Sequence, residues 1–468
     1  MIKSRNNSLL VFLLAIFLLA PLAHNKVFRG GNEASRFAQI EALVDYGHTY
    51  IDESRYSWTV DKITLNGRHY SNKPPVLSVI GAGVYFLLKK TLGLTFAQNE
   101  SAVVYLLTFF LTVIPTAWLT ALFYSSLERH SNISVRVRCL TTLALAAGTL
   151  LTSFSVTLNN HTICAALIFA AFHSAWQGKS TRAGIWSSLS ACIDIVPGLL
   201  FIPFFAYMLY HVSGYKSTIP YLASLIAGLA VFVATNLWIV GSPLPPKLVP
   251  GAVDHSSAFA SAFGNVLLPD SWTYPLHCLF GWHGLFTVSP VLIFGALGAG
   301  IILKKGYPLP RRICLLLLFE LAVMIALHIF FVGSYGGWSY GFRYLIPIIP
   351  IIMFFAPVII ARHTGIFGCL LAVSVLFALI GTYHPWPPGY QIEPVKDPVT
   401  SAVTNPVGAN ASAWLQEYFP DLSVTGSMKS FFISPREEAQ IRYLILFYYS
   451  KGDKEMMDKM VQTFFTVS

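Results

Sequence analysis

Charge is scarce in this chain, and that scarcity decides the class of protein. Asp, Glu, Lys and Arg make up 11% of the 468 residues, whereas hydrophobic residues make up 55%, and the mean hydropathy is +0.61. A soluble globular domain carries roughly 25% charged residues. The composition therefore excludes an ordinary soluble domain and predicts an integral membrane protein.

Cysteine pairs and repeats are also lacking. The chain has no internal repeat and no low-complexity tract, which counts against a transporter built from two related halves. The cysteines lie in or beside apolar segments with no regular spacing, so the sequence predicts neither a disulfide framework nor a zinc motif. The six are Cys139, Cys164, Cys192, Cys278, Cys314 and Cys369.

Long apolar stretches are abundant, and about 20 such residues cross the hydrocarbon layer as a helix. They predict an all-α polytopic membrane protein of about 11–13 transmembrane helices. The first stretch follows Lys3 and Arg5 like a signal peptide, but we interpret it as an uncleaved anchor because so much membrane follows. The spans are placed near 8–24, 75–88, 101–124, 139–157, 162–177, 183–194, 196–211, 219–240, 284–303, 313–333, 344–361 and 365–383.

The formal net charge of +10 comes from short basic clusters between the spans. This pattern indicates topology rather than a nucleic-acid partner, because Lys and Arg are retained on the cytoplasmic side. Residues 1–7 are then inside, and the polar segment 25–74, here called the first loop, is outside. The basic stretch 129–138 conflicts with the rule if 75–88 crosses the membrane. The inner-facing segments are 178–182, 304–312 and 361–363; the outer-facing ones include 160–161 and 335–344.

The domain organisation follows from these segments. Residues 1–383 form a transmembrane module, and 384–468, here called the tail, form a C-terminal extension or small extramembrane module that we orient outward. A mixed loop covers 241–283. We expect a multi-pass protein of the plasma membrane, the inner membrane if bacterial, with its site facing outward and membrane lipids around it.

Acidic residues concentrate in the first loop. Only six others lie between that loop and the end of the last predicted span, whereas the loop itself holds Glu33, Glu41, Asp45, Asp52, Glu53 and Asp61. Residues 32–46 are typical of an amphipathic surface helix, capped by Asn32 and ended by Gly47. Glu33 would lie in its first turn, where the helix dipole alone can explain a carboxylate.

The end of the first loop reads Asn-Gly-Arg-His-Tyr-Ser-Asn-Lys-Pro-Pro over residues 66–75. Asn66-Gly67 indicates a turn, and the two prolines end any structure before the next span. Taken singly, Lys73 can be an interfacial anchor and His69 a hydrogen-bonded structural residue. Together they predict a polar cluster at the membrane surface.

Three features of the first loop occur together: NEASRFA at 32–38, Asp61, and GRHYSNKPP at 67–75. In this combination they resemble the first loop of GT-C fold glycosyltransferases that use polyprenyl-phosphate sugars. The nearest likeness is to the bacterial relatives of protein O-mannosyltransferases and of the lipid A aminoarabinose transferase, the family 39 relatives. TLNNH at 157–161 and YGGWSYGFRYL at 335–345 strengthen the likeness. Asn32 departs from it, because an aspartate is expected there.

The resemblance implies a membrane glycosyltransferase, acting on a polyprenyl- or dolichyl-phosphate donor and a lipid, glycan or protein acceptor outside the cytoplasm. In such families the loop acid is the base, and a lysine and an arginine hold the donor phosphate. We assign these roles to Glu33, Lys73 and Arg343, with Asp61 and then Asp52 as alternative bases, and inversion at the anomeric carbon. Arg343 can also be an ordinary interfacial anchor.

Some members of these families bind a divalent metal ion, and no other cofactor is indicated. Polar residues near the loop or at outward turns are candidates for an acceptor or metal site, with polar packing as their alternative role: His69, Asn72, Asn160, His161 and Tyr340.

Two further functions stay open. Glu320 and His328 lie eight residues apart within one predicted span, and Asp194 lies at a helical turn. Ionisable groups at membrane depth are usually functional, which favours a lipid or glycan transporter or flippase. Alternatively, Asn32 marks a GT-C relative without catalytic activity, whose tail binds a partner.

Overall fold

The structure, a computed structural model, describes residues 2–27, 31–128, 133–256, 273–306, 308–332, 339–386, 406–418, 448 and 453–458. Most of them are helical. In chain order the helices and strands are α1 (Ile2–Leu19), α2 (Asn32–Glu41), β1 (Lys62–Leu65), β2 (Arg68–Ser71), α3 (Pro75–Leu92), α4 (Phe96–Thr108), α5 (Ile114–Leu127), α6 (Val135–Ala147), α7 (Leu150–Phe154), α8 (Asn160–Trp176), α9 (Ser180–Ile193), α10 (Ile195–Ser213), α11 (Thr218–Val240), β3 (Val253–Asp254), α12 (Thr273–Phe280), α13 (Leu285–Val288), α14 (Leu292–Lys305), α15 (Arg311–Val332), α16 (Ile349–Phe354), α17 (Pro357–Ile360), α18 (Thr364–Tyr383) and α19 (Pro406–Tyr418).

Short 3-10 and π-helical turns extend several of these helices. The π-helical turns are Ala42–Tyr46 and Phe109–Val113, and the second joins α4 to α5. The 3-10 turns are Ala20–Leu22, Tyr215–Ser217, Pro246–Leu248 and Arg343–Ile348.

Six helices of the described chain are long and apolar enough to cross a membrane, or seven if a pair bent by 100° counts as one span. The pair is Cys278–Val288 with Leu292–Lys305. The multi-pass prediction is thus confirmed at this level, and the count of about 11–13 stays a prediction. Helices at other predicted spans are shorter, such as α6 with 13 residues and α9 with 14. The 18-residue α3 is long enough to cross, so its length leaves the conflict at 129–138 in place.

Helix α2 begins where the surface helix was predicted, and the π-helical turn continues it to Gly47. Gly47 ends it with a φ of 71°, which glycine adopts without strain. The capping role predicted for Asn32 is wrong, because the residue before the first turn is Gly31 and no side chain caps it. All ten residues of α2 are buried, so it is an enclosed helix rather than an exposed amphipathic one.

Three short strands add a small sheet of order β2-β1-β3 to this helical fold. The predicted Asn-Gly turn joins β1 to β2, and both Asn66 and Gly67 have positive φ, as a two-residue hairpin turn requires. Strands β1 and β2 are antiparallel, with Lys62 opposite Ser71. Strand β3 comes from the mixed loop and pairs Asp254 with Ile63.

Two large apolar cores dominate the described residues, beside a small cluster around Ile63 of β1. The larger is built mainly from α5 to α10 and α13 to α18. The smaller joins α2 and the first loop to α3, α4 and the start of α8, and it includes Tyr448 of the tail. The first loop is therefore a packed part of the fold.

Candidate functional site

Glu33 lies in the first turn of α2, and its side chain is 2% exposed. One carboxylate oxygen accepts a short hydrogen bond from the hydroxyl of Thr157. The same hydroxyl oxygen accepts a hydrogen bond of 3.1 Å from Nε1 of Trp386. The first loop, the turn before α8 and the segment after α18 therefore meet at this carboxylate.

Asp61 and Lys73 form an ion pair of 2.8 Å with side chains 15% and 13% exposed. The hairpin brings them together, because Asp61 precedes β1 and Lys73 follows β2. The pair is also tied to α2, since the hydroxyl of Ser35 donates to the carbonyl oxygen of Asp61 at 2.5 Å. The hydroxyl oxygens of Ser35 and Ser71 are 2.7 Å apart.

Burial and charge act in opposite directions on this pair. Burial raises the pKa of Asp61, but the positive charges around it, first that of Lys73, outweigh burial and hold the pKa below its ordinary value. Burial lowers the pKa of Lys73 to about 8, and Asp61 offsets this only in part. Both groups are therefore charged at neutral pH, and Asp61 is a weak base there.

Arg36 is the main residue that the sequence analysis left out. It follows Glu33 by three residues on α2, hence on the same face, and it is 1% exposed. Its Nη2 donates to Oδ1 of Asn160 at 2.9 Å, whereas Nε and Nη1 have no hydrogen-bond partner among the described residues. A buried guanidinium with open donors is suited to bind an anion, because leaving them unpaired costs free energy.

The charge of Arg36 links the remaining members of the site. Burial lowers its pKa to about 10, the nearby carboxylates of Asp194 and Asp61 raise it, and Arg343 lowers it further. The group is protonated at neutral pH in spite of its burial. We call this set of residues the polar centre: Glu33, Arg36, Asp61, Lys73, Asn160, His161, Asp194 and Arg343.

His161 and Asp194 lie at the edge of the polar centre, where α8 begins and α9 ends. Nδ1 of His161 is 2.6 Å from Oδ2 of Asp194, so the carboxylate fixes the orientation of the ring. The ring of Tyr344 packs against His161 at 5.4 Å and stacks on His328 at 5.5 Å. His328, on the long apolar helix α15, is thereby connected to the site.

Arg343 enters from the 3-10 turn that precedes α16, and it is 9% exposed. Its guanidinium carbon lies 5.0 Å from the ring centre of Trp386 and 5.2 Å from that of Tyr344. Residues 335–338 of the predicted motif lie outside the described residues. The described part brings Arg343 to the polar centre and not to an exposed interfacial position.

Three candidates lie apart from the polar centre and make other contacts. His69 pairs with Asp52, with Nδ1 2.8 Å from Oδ1. Asn72 donates to Asp254 at 3.1 Å. Tyr340 is fully buried and donates to the carbonyl oxygen of Phe377 at 2.6 Å. The contacts of His69 and Asn72 fix the hairpin to the first loop and to β3, and that of Tyr340 fixes its own segment to α18.

Glu320 is 6% exposed within α15, a helix that is long and apolar enough to span a membrane. His328 lies on the same helix, and its Nδ1 is 2.9 Å from the carbonyl oxygen of Met324. Of the two, only His328 reaches the polar centre through a described contact, the stacked ring of Tyr344.

Two further residues of the site carried signals in the sequence. Thr157 belongs to the TLNNH segment, whose asparagine and histidine were recognised, and Trp386 lies just beyond the last predicted span. Neither position had a spacing that linked it to Glu33. Contacts between segments more than 100 residues apart cannot be read from local pattern.

Among the described residues, no group of three or more His, Cys, Asp and Glu side chains is arranged to hold a metal ion. The chemistry proposed below is derived from protein side chains.

Comparison with known proteins yields no relative. No protein-family model, no curated protein and no solved structure matches the chain.

Proposed function

We propose that this protein is a membrane glycosyltransferase that transfers a sugar from a polyprenyl- or dolichyl-phosphate donor to a lipid, glycan or protein acceptor outside the cytoplasm. One observation carries the proposal. Candidate acid, lysine and arginine residues from segments far apart in the chain lie around one buried helix, α2, in a multi-pass membrane protein.

The reaction needs a base and a stabilised leaving group. The base removes the proton from the acceptor hydroxyl, whose oxygen forms a bond to the anomeric carbon of the sugar. The bond between that carbon and the phosphate oxygen breaks, and its electron pair leaves with the polyprenyl phosphate. A single displacement of this kind inverts the anomeric centre.

Glu33 is the proposed base. Asp61 is a weaker candidate, because Lys73 and the other positive charges around it hold its pKa below its ordinary value, and Asp52, which is bonded to His69, lies outside the polar centre. The hydrogen bond from Thr157 fixes the Glu33 carboxylate in one orientation. Asn32 then needs no catalytic role, and the acid missing at that position does not remove the base.

Lys73, Arg36 and Arg343 are the proposed donors to the phosphate. Arginine can bond two phosphate oxygens at once, whereas lysine acts as a compact charge. Arg36 joins the two predicted residues because its open donors face no protein acceptor within the described residues. His161, oriented by Asp194, is the proposed acceptor-binding residue.

A transporter or flippase is the second candidate. The stacking of His328 on Tyr344 favours it, because it links an ionisable group of a membrane helix to the polar centre. A transported lipid phosphate would use the same arginines without needing Glu33.

The test is to incubate purified protein with a panel of labelled polyprenyl-phosphate sugars and to measure sugar transfer, slow hydrolysis and binding. Transfer or hydrolysis that is lost in Glu33→Gln supports the enzyme. Binding without turnover in both proteins favours the transporter, and the absence of both binding and turnover with every donor counts against either function.

A further inference from the structure

The tail contacts the first loop through Tyr448. This residue is 1% exposed, and its hydroxyl donates to the carbonyl oxygen of Trp58 at 2.8 Å. The same hydroxyl lies 3.3 Å from the carbonyl oxygen of Thr59. A single tail side chain therefore holds the backbone just before Asp61.

The ring of Tyr448 contacts the residue that follows Asp61. Nζ of Lys62 lies 5.3 Å from the ring centre and donates to the carbonyl oxygen of Ser57 at 2.8 Å. Lys62 is 1% exposed, and a buried ammonium group is stabilised by the face of an aromatic ring. Tyr448 thus contacts the segment 57–62 at residues 58, 59 and 62, and Lys62 ties Ser57 to the same contact.

This segment is connected directly to the site. The backbone N–H of Asp61 donates to the hydroxyl oxygen of Thr59 at 3.1 Å, and that hydroxyl donates to the carbonyl oxygen of Gly31 at 2.9 Å. Movement of residues 58 and 59 would therefore move Asp61 and the start of α2.

A second part of the tail packs on the same core. Met456 and Met457 contact the smaller apolar core, which contains Trp58 and Tyr56. The N–H of Met456 donates to the carboxylate of Asp453 at 3.1 Å, and the N–H of Asp453 donates to the carbonyl oxygen of Tyr448 at 3.0 Å. The contact therefore extends beyond one side chain.

We propose that the tail is a positioning element of the polar centre: Tyr448 clamps residues 57–62 and thereby sets the Asp61–Lys73 pair. The contact requires the tail to lie on the same side of the membrane as the first loop. The proposal rests on the proposed function only in taking Asp61 and Lys73 as site residues, and its tests do not require turnover.

The first test is amide hydrogen exchange of the full-length protein in lipid nanodiscs. Tyr448→Phe removes the hydroxyl and keeps the ring over Lys62, and Tyr448→Ala removes both. Since one hydrogen bond is lost, we expect exchange of residues 57–62 to be about fivefold faster in Tyr448→Phe. Exchange in α3 should stay unchanged. The control is Tyr418→Phe, the same change at a tail tyrosine that is 58% exposed.

Unchanged exchange at 57–62 in Tyr448→Phe would overturn the clamp, as would epitopes in the first loop and at the C-terminus that become accessible from opposite sides. If Tyr448→Ala fails to fold, Tyr448→Phe decides alone.

The second test is the pH dependence of Lys73 acylation, measured by mass spectrometry. Because burial lowers the pKa of Lys73 to about 8, loosening the loop should raise it towards 10.5 and slow acylation at pH 8. If Lys73 has the same apparent pKa in wild type and in Tyr448→Phe, the tail does not position the Asp61–Lys73 pair. If Tyr448→Phe loosens residues 57–62 as expected but neither wild type nor variant turns over any donor, the proposed function is rejected and the positioning role of the tail stands.

Discussion

Helices α2 and α11 have the reverse of the surroundings that they would have in a water-soluble protein. The polar helix α2 is buried, and the apolar helix α11 is largely exposed. The ten residues of α2 include Glu33, Arg36, Gln39 and Glu41, and all ten are buried. The 23 residues of α11 are almost entirely apolar, and only five of them are buried. Its exposed apolar face is suited to lipid.

The comparison shows at which positions the identity of a side chain has the largest effect on free energy. A lipid-facing apolar side chain meets similar surroundings on all sides, so its exact shape matters little. A buried charge must find partners or a ligand, because leaving it unpaired is costly. Function is therefore expected on and around α2 and tolerance of apolar exchange on α11, and four predictions test the α2 side of this comparison.

The largest effect is expected for Glu33→Gln. If the carboxylate is the base, transfer should fall by about 100-fold or more, while membrane expression stays normal because the amide keeps a similar shape. The measurement is sugar transfer by purified protein. Glu53→Gln, at a loop carboxylate whose side chain is 49% exposed, is the control and should keep full activity. Full activity in Glu33→Gln would move the base to Asp61 or Asp52.

Arg36→Lys should weaken donor binding by about tenfold. Lysine keeps the charge but loses the planar fork that bonds two oxygens. The measurement is equilibrium binding of a polyprenyl-phosphate sugar. Arg68→Lys is the matched control, since Arg68 is exposed and stacks on Tyr50 at 4.5 Å. An equal effect of the two changes would contradict a phosphate role for Arg36.

Donor binding should also weaken as pH rises through the pKa of Lys73, which is about 8. The lysine is mostly charged at pH 7 and mostly neutral at pH 9, so the fraction of protein with a charged Lys73 falls roughly tenfold. Its contribution to donor binding should fall with that fraction. The sign follows because the neutral amine no longer attracts phosphate. Lys73→Arg should flatten the profile, since arginine stays charged. A wild-type profile that is flat from pH 7 to 9 would exclude Lys73 as a phosphate ligand.

The smallest effect is expected for the stability of variants at two glycines of α3. A Cβ on Gly81 would lie 2.5 Å from Cδ1 of Ile40 on α2, whereas a Cβ on Gly83 would meet nothing within 4 Å. Gly81→Ala should destabilise the protein by about 1 kcal/mol, because Ile40 must repack. Gly83→Ala should be neutral or slightly stabilising, since alanine favours helix. Thermal unfolding measures both, and equal midpoints would mean that α2 does not pack tightly on α3.

Much of the fold could be predicted because it follows from local chemistry. Apolar runs indicate membrane helices, the glycine at position 47 ends α2, and Asn66-Gly67 forms the hairpin turn. The strand β3 could not be predicted in the same way, because two residues of the mixed loop pair with β1 only after the chain has folded. The burial of α2 was missed for the same reason, since the chain that encloses it comes from distant segments.

The sequence by itself determined that this is a membrane protein and that its charges gather in the first loop, because hydropathy and local turns act over a few residues. The tertiary structure alone decided which charges meet. It paired Asp61 with Lys73, joined Arg36 to Asn160, brought Thr157 and Trp386 to Glu33, and laid Tyr448 beside the loop. These contacts join segments far apart in the chain, and their free energy comes from packing that no short stretch of sequence contains.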